Sequence, residues 1–478
     1  MTSPATPDSS IAAEPGISVQ TRLIALVVAV TFFMENLDAT VIATALPSMA
    51  IGFGVTSIDM NVGISAYLLA VAIFIPLSSW VADRFGTRTV FAGAIVVFTV
   101  ASFLCGISQN LEMFVLARVL QGIGGALMVP VGRLAVLRNT AKKDLVNMIA
   151  LITWPGLVAP ILGPLVGGLI VTHATWPWIF YINVPLGILA LIAALWLVPV
   201  DRASSVRTFD GKGFLLLAGA CVLLLGGLEW LGGQEGNALI TGSALVVCGV
   251  IFAGLAIGHC KRHANPLLPL STLSIKTFRA TVFGGSLFRL AISALPFLLP
   301  LLFQVGFGLS PVDAGTLVLA VFAGNLAMKP FTTSIMRRYG FRKILLVNGV
   351  IGIISILACA CFTPATPFWV IAAVLFMGGL SRSMQFTCYN SIGFADVSKS
   401  QMSDASALFS MFFQLAMGVG VTFAALLLRF SMSLQSHQLH PQTSDFRMAF
   451  IGVAILGLFG LIDVVRLPKH AGESVLKR

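Results

Sequence analysis

RLIALVVAVTFFMENLDATVIATA, Arg22 to Ala45, is an almost unbroken apolar run with two carboxylates in its second half, Glu35 and Asp38. About 20 apolar residues suffice for one helix to cross a hydrocarbon core about 30 Å thick, so the run reads as a membrane span. Thirteen more runs of this kind follow, bounded by charge or by Gly/Pro clusters. Among them are Met60 to Ala82, Leu145 to Thr172, Phe214 to Leu231, Ala238 to His259, Thr281 to Val305 and Met448 to Val465. The whole chain shares that character: of 478 residues, 57% are hydrophobic and 10% charged, with a mean hydropathy of +0.97. Soluble domains carry about a quarter charged residues. A soluble enzyme, a disordered chain, a fibrous protein and a nucleic-acid binder are therefore excluded, and an all-α polytopic membrane protein with 14 transmembrane helices is expected.

Charge placement gives the expected topology. Lys and Arg number 29 against 18 Asp and Glu, a net +11, and 23 of these basic residues fall in alternate loops on one side. The opposite loops hold only Arg429 and Arg447. By the positive-inside rule both termini are expected in the cytoplasm, as in a multi-pass protein of the inner membrane. Met1 to Gln20, rich in Ser, Pro, Ala and Thr, reads as a short tail and not as a signal peptide, because the apolar run after it is too long and lacks a cleavage-like end.

The chain also repeats itself. DRFGTRTV, Asp83 to Val90, follows the second span, and RRYGFRKI, Arg337 to Ile344, follows the tenth. Arg118 and Gln121 form Arg-x-x-Gln in the fourth span; Arg382 and Gln385 repeat it in the twelfth. Offsets of 254 and 264 point to one duplication. The expected division is a tail at 1–21, a six-helix bundle at 22–200, a linker at 201–279 with two extra spans, a second bundle at 280–466 and a tail at 467–478.

A carboxylate at mid-span costs about 2.5–3.5 kcal/mol on insertion scales, so Asp38 demands either a function or a partner. Proton or substrate coupling is one reading; permanent pairing with a base, or exposure to water near the helix end, is the other. Glu35 lies three residues earlier, on the same helical face. Arg118 cannot shed its charge and has no place against lipid, so Asp38 is its expected partner, with Gln121 one turn away. Arg289, Lys329 and Arg382 add cations that two acids cannot neutralise. With Gln121 and Gln385 they are expected near a substrate cavity, meeting water, carbonyls or an anionic ligand, unless Lys329 snorkels to an interface. Pro155, Pro160 and Pro164 with Gly156, Gly163, Gly167 and Gly168 bend the fifth span and let a neighbour approach, either as a moving interface or as plain tight packing. Asp83, Arg84, Gly86 and Arg88 form a tight turn whose charges either gate or simply set topology.

LDATVIATALP, Leu37 to Pro47, resembles the signature of the 14-helix drug:proton antiporters of the major facilitator superfamily, the EmrB-like and QacA-like exporters. ADRFGTR (Ala82 to Arg88), ARVLQGIGG (Ala117 to Gly125) and GPLVGG (Gly163 to Gly168) resemble that superfamily's loop, helix-four and antiporter motifs. WPWIFYINVPLG (Trp176 to Gly187) and LFQVGFGLSPVDAG (Leu302 to Gly315) match as well, so the likeness covers nearly the whole chain. It implies the major facilitator fold, a coupling role for Asp38, a proton-transfer role for Arg118 and gating by GPLVGG. Ser79 stands where the loop motif normally has glycine, and Arg337 replaces the acid in the second copy, which weakens the case for two equal latches.

Enzyme signatures are absent: no Walker loop, no HExxH, and six histidines (His173, His259, His263, His437, His440, His470) that fall outside helix centres and suggest no ligand cluster. No metal or cofactor is expected. The seven cysteines lie scattered in apolar runs and read as packing residues, as does the glycine run Gly122 to Gly125. The expected function is proton-coupled export of small amphipathic compounds by alternating access, with substrate, protons and the bilayer as partners and a monomer as the working unit. Two alternatives stand: proton-coupled uptake of an organic anion, which the cations favour, and a non-transporting membrane sensor or assembly subunit, which has no need of Asp38.

Overall fold

The computed structural model describes residues 19–138, 140, 145–200, 208–232, 237–263, 266–268, 270–398, 401–435, 441–468 and 471–472. Residues 1–18 of the expected tail, most of the C-terminal one, and Lys142, Lys143, Arg202, Arg207, Lys399, His437, His440, Lys469, His470, Lys477 and Arg478 lie outside the described residues. Fourteen helices among the described residues are long and apolar enough to cross a membrane. They are α1 (Val19–Phe53), α2 (Asn61–Phe85), α3 (Thr87–Gly106), α4 (Leu111–Arg138), α5 (Leu145–His173), α6 (Trp178–Leu197), α7 (Gly211–Leu231), α8 (Ala238–Arg262), α9 (Lys276–Gly306), α10 (Pro311–Tyr339), α11 (Phe341–Cys359), α12 (Phe368–Ala395), α13 (Met402–Leu434) and α14 (Thr443–Val465).

Hydrocarbon offers backbone amides no partner, so apolar runs of this length close their hydrogen bonds internally as helices. For the same reason α1 runs past the expected end at Ala45 to Phe53 with Pro47 inside it. Its 35 residues span about 50 Å, more than the hydrocarbon core requires. Proline does change the winding elsewhere. Pro76 sits in a 3₁₀ turn at Ile75–Leu77 within α2, and α9 consists of Lys276–Ser293, Leu295–Leu301 and a π turn at Leu302–Gly306, with Pro296 and Pro300 in the middle piece. The turns after α2 and α10 are built alike. Gly86 (φ 87°) and Gly340 (φ 72°) take left-handed conformations open to glycine and donate their N–H groups to Ala82 O and Met336 O.

Helix pairing recurs along the chain. α1 packs on α5 and α6, α2 and α3 on α4, and α3 on α6; eight helices later α9 packs on α13 and α14, α10 and α11 on α12, and α11 on α14. The first and last six helices meet through α5 with α10 and α2 with α13. α7 lies across the α2–α13 seam, while α8 packs mainly on α7.

Apolar packing differs between the two ends. Where α1 finishes, one cluster joins Leu46 and Met49 of α1, Phe114 of α4, Phe297 and Phe303 of α9, Leu317 of α10, Leu428 of α13 and Phe450 of α14. Where α1 begins, the first and last six helices have separate clusters, around Phe91 and Val131 and around Phe341 and Ile392. A fourth cluster along α2, α7, α9 and α13 closes one flank.

Candidate functional site

Five helices converge on Asp38. α4 lies so close to α2 that a Cβ at Gly122 would stand 2.6 Å from the Tyr67 carbonyl oxygen, and so close to α3 that one at Gly124 would stand 2.7 Å from the Phe98 nitrogen. The glycine run is thus packing, and its closeness brings Arg118 under Asp38. Arg118 Nη1 donates to Asp38 Oδ2 at 2.6 Å and to Gln121 Oε1 at 2.5 Å, and its Nε donates to the Gly63 carbonyl at 3.3 Å. Gln121 Nε2 donates to Asp38 Oδ1 (2.9 Å) and Ser102 Oγ (2.8 Å), and Asn183 Nδ2 is the third donor to the carboxylate, also at Oδ1 (3.1 Å). The guanidinium also lies 4.4 Å from the centroid of the Tyr67 ring. Both side chains of the ion pair are fully enclosed. Such a pair is costly to break from one side, about 3–5 kcal/mol, because the surviving charge is stranded.

Glu35 stands one turn before Asp38, outside this hydrogen-bond network. Its Oε2 and the Tyr67 hydroxyl are buried without a partner among the described residues, as is Arg118 Nη2. An added Cβ on Gly125 would meet both groups, at 3.1 Å from Tyr67 Oη and 3.8 Å from Glu35 Oε1. Tyr67, Ser102 and Asn183 were not singled out by the sequence reading. The available signals were that Tyr67 is one of four tyrosines and that Asn183 interrupts an apolar span.

The second Arg-x-x-Gln is wired differently. Gln385 donates to the Leu345 carbonyl (2.9 Å) and accepts from Asn348 (3.1 Å), so it is spent on α11. Arg382 lies 5.5 and 5.7 Å from the Phe322 and Phe386 ring centroids, with Nε and Nη1 unpartnered among the described residues. It borders a pocket of about 30 Å³ between α9, α10, α11, α12 and α14, room for a water or two and far below a drug-sized site. Arg289 donates from Nη1 to the Thr281 carbonyl (3.2 Å) and is covered by Phe409 and Phe413 at 4.7 and 5.1 Å. Lys329 is half-buried, 3.5 Å from Thr387 Oγ1. Of the five residues expected to line a cavity, Gln121, Arg289 and Gln385 are enclosed in this conformation.

GPLVGG faces two ways. A Cβ at Gly163 would stand 2.1 Å from Thr40 Oγ1, and one at Gly167 2.5 Å from the Val41 carbonyl, so α5 is pressed on α1 beside Asp38. Gly168 faces α10: a Cβ there would lie 2.6 Å from Pro311 O, and a Cβ at Gly315 2.4 Å from Pro164 O. Pro155 lies in the same helix, nearer its start, beside Gly156, which rests on the Phe32 ring. In the α2–α3 turn, Asp83 pairs with Arg138 of α4 at 2.9 Å and Arg138 also donates to Thr87. Arg88 donates to the Leu195 carbonyl at the end of α6, as Arg342 donates to Val465 at the end of α14. Arg84 is exposed. Asp83 and Arg88 of this turn are engaged within the first six helices.

One contact set was not expected. Glu229, near the end of α7, accepts through Oε1 from Asn61 of α2 (2.7 Å) and Thr422 of α13 (2.8 Å), and Ser65 and Thr422 lie 2.9 Å apart across the same seam. Arg429 donates to Asp59 nearby at 2.7 Å. The reading of the histidines needs correction too: Asp210, far from them in sequence, lies against His259 and His263.

The Major Facilitator Superfamily family model matches residues 28–421 and 281–477, two overlapping stretches that together take in nearly all spans. Among curated relatives, a protein named "Putative multidrug resistance protein MdtD" from Escherichia coli K12 is 39% identical over 455 residues, 94% of this chain and 95% of its own. Its namesake from Citrobacter koseri is 39% identical over 409 residues, 84% of this chain and 85% of its own. Solved structures with the same fold include a POT family peptide transporter (TM-score 0.67, 13% identity, 94% of this chain and 96% of that one) and the Escherichia coli xylose transporter XylE (TM-score 0.62, 13% identity, 94% and 98%). The chain, a multi-pass transporter of small molecules and not an enzyme, belongs to the Major Facilitator Superfamily.

Proposed function

We propose that the chain is a proton-coupled exporter of small amphipathic compounds in the inner membrane, working by alternating access between two six-helix bundles, with both termini cytoplasmic. The observation that carries this reading is the enclosed Asp38–Arg118 pair, held by donors from α4 and α6 beside the helix-packing face of α5. A proton arriving at Asp38 cancels its charge and frees Arg118, whose unpartnered Nη2 and the nearby Glu35 and Tyr67 hydroxyl offer other places for that charge and proton. Because α1 carries Asp38 and packs on α5, and α5 crosses α10, a change at Asp38 has a direct mechanical route to the contact between the bundles. The recurrent pairing of helices supports the division into bundles. One apolar cluster joins both bundles through their middle at the far end, while at the cytoplasmic end, among the described residues, only the flanking α2–α7–α9–α13 cluster bridges them, which supports a state closed at the far side and open toward the cytoplasm. The name of the relatives supports export of drug-like compounds.

Uptake of an organic anion is the second reading, favoured by Arg289, Lys329 and Arg382, none of which meets a carboxylate among the described residues. Purified protein in liposomes, with an internal pH dye, decides between them. Export by antiport predicts proton movement opposite to the added cationic or neutral compound; uptake predicts co-movement with an anion. No ligand-dependent proton flux with any member of such a panel overturns both.

A further inference from the structure

The base of the α7–α8 hairpin brings together three side chains that the transport reading does not use. Asp210 stands just before α7 and caps it: Oδ1 accepts from the Gly213 N–H at 2.9 Å. Its Oδ2 accepts from the Leu267 N–H at 3.1 Å, on the segment leading to α9. His259, in the last turn of α8, places Nε2 2.8 Å from Asp210 Oδ1, and His263 follows one turn later with its ring centroid 5.0 Å from that of His259. One ligand atom from each of the three lies within 4.8 Å of the others.

Access is graded across the cluster. The Asp210 side chain is buried, His259 is about one-fifth exposed, and His263 is open to solvent. A buried carboxylate, a partly covered imidazole and an open imidazole leave an entry path and a free coordination position for water. An aspartate carboxyl ordinarily titrates well below neutral pH, so its ligand form is the one present there. Two imidazole nitrogens and one carboxylate oxygen are the donors that Zn2+ and its neighbours take, whereas Ca2+ and Mg2+ call for oxygen-rich sets. Ligands on a tetrahedral ion at bonds of about 2.0–2.1 Å sit about 3.3 Å apart, so the cluster has to contract on binding.

We propose that Asp210, His259 and His263 form a site for one transition-metal dication, Zn2+ being the type, at the base of the α7–α8 hairpin. The ion joins the start of α7 to the end of α8. Through the Leu267 bond to Asp210 it also steadies the segment that enters α9. It gives the extra pair of helices a fixed base, and it does not depend on which compound the protein carries.

The test uses the full-length protein in detergent, without an affinity tag and stripped of metal. Co2+ serves as an optical probe through its visible absorption, and Zn2+ is titrated by calorimetry. Wild type should bind one ion per chain, with His263→Ala weakening binding at least tenfold and abolishing the Co2+ band, and Asp210→Asn acting in the same direction. Zn2+ should raise the melting temperature of wild type and leave that of His263→Ala unchanged. Because Asp210 also caps α7, its variant counts only if it elutes as a single folded species; the exposed His263 decides alone otherwise. Absence of micromolar binding to wild type, or equal binding by wild type and His263→Ala, overturns the proposal.

Discussion

Gly168→Ala is the sharpest perturbation of the contact between the first and last six helices. The new Cβ would stand 2.6 Å from the Pro311 carbonyl oxygen, 3.0 Å from its carbon and 3.1 Å from Val312 Cα, all backbone atoms that no rotamer change can move. Ordinary contact begins near 3.4 Å, so α5 and α10 must separate by several tenths of an ångström at their crossing. Overpacking of this kind costs about 1–3 kcal/mol. If the alternate state parts these helices at that end, the cost falls on the closed state alone and shifts the equilibrium about 5- to 150-fold toward opening there. Spin labels at His173 and Thr316, both exposed near the crossing, report the shift as a longer distance population by pulsed EPR, with Cys248, Cys260 and Cys361 replaced beforehand. Gly315→Ala, with 2.4 Å to Pro164 O, should act alike, while Gly93→Ala, where a Cβ meets nothing within 4 Å, should leave the distances unchanged. Distance distributions equal to wild type in both crossing variants would show that this contact is not part of the switch.

Asp38→Asn should abolish gradient-driven transport and lower stability by about 3–5 kcal/mol, since Arg118 is left buried without its counter-ion; transport equal to wild type would make the pair purely structural. Arg118→Lys should also fail, because one ammonium nitrogen cannot stand both where Nη1 meets Asp38 and Gln121 and where Nε meets the Gly63 carbonyl, and full transport by this variant would show that a point charge is enough. Glu229→Ala removes the acceptor shared by Asn61 and Thr422 and should loosen the α2–α13 seam by about 1–3 kcal/mol, read as faster thiol labelling of a cysteine placed at Ser65; an unchanged rate argues that apolar packing alone holds the seam. Arg382→Gln should weaken an anionic ligand about tenfold or more relative to a neutral one of equal size, as hydrogen bonds to charged groups are worth about 1.5–3 kcal/mol, and a uniform change across both would remove Arg382 from selectivity.

The spans were legible because hydrocarbon leaves an apolar run one way to satisfy its backbone. Pairing of Asp38 with Arg118 was legible too, since two isolated charges among apolar spans have few other destinations. Partners contributed by helix rotation were not. Asn183 and Tyr67 sit on helices whose facing directions no spacing rule gives, and Asp210 meets His259 across 49 positions of sequence. The duplicated Arg-x-x-Gln shows the converse limit: the same letters yield a shared acid in the first copy and a backbone carbonyl plus an asparagine in the second, because α9 offers no carboxylate where α1 offers Asp38. Pro47, two residues past the expected end at Ala45, lies within α1 because a long helix in a dry setting loses less by carrying a proline than by exposing its remaining carbonyls.

The placing of α8 at the outer edge has a consequence for the bilayer itself. With α7 as its main protein neighbour, α8 leaves most of its surface to its surroundings, and its apolar stretch ahead of His259, Lys261 and Arg262 measures about 31 Å, matched to a hydrocarbon core of about 30 Å. A thinner membrane creates a mismatch that is relieved by tilting, so the thickness of the surrounding membrane sets how steeply α8 stands. Since α8 leans on α7, and α7 holds the seam through Glu229, acyl-chain length becomes a mechanical input to the contact between the two sets of helices.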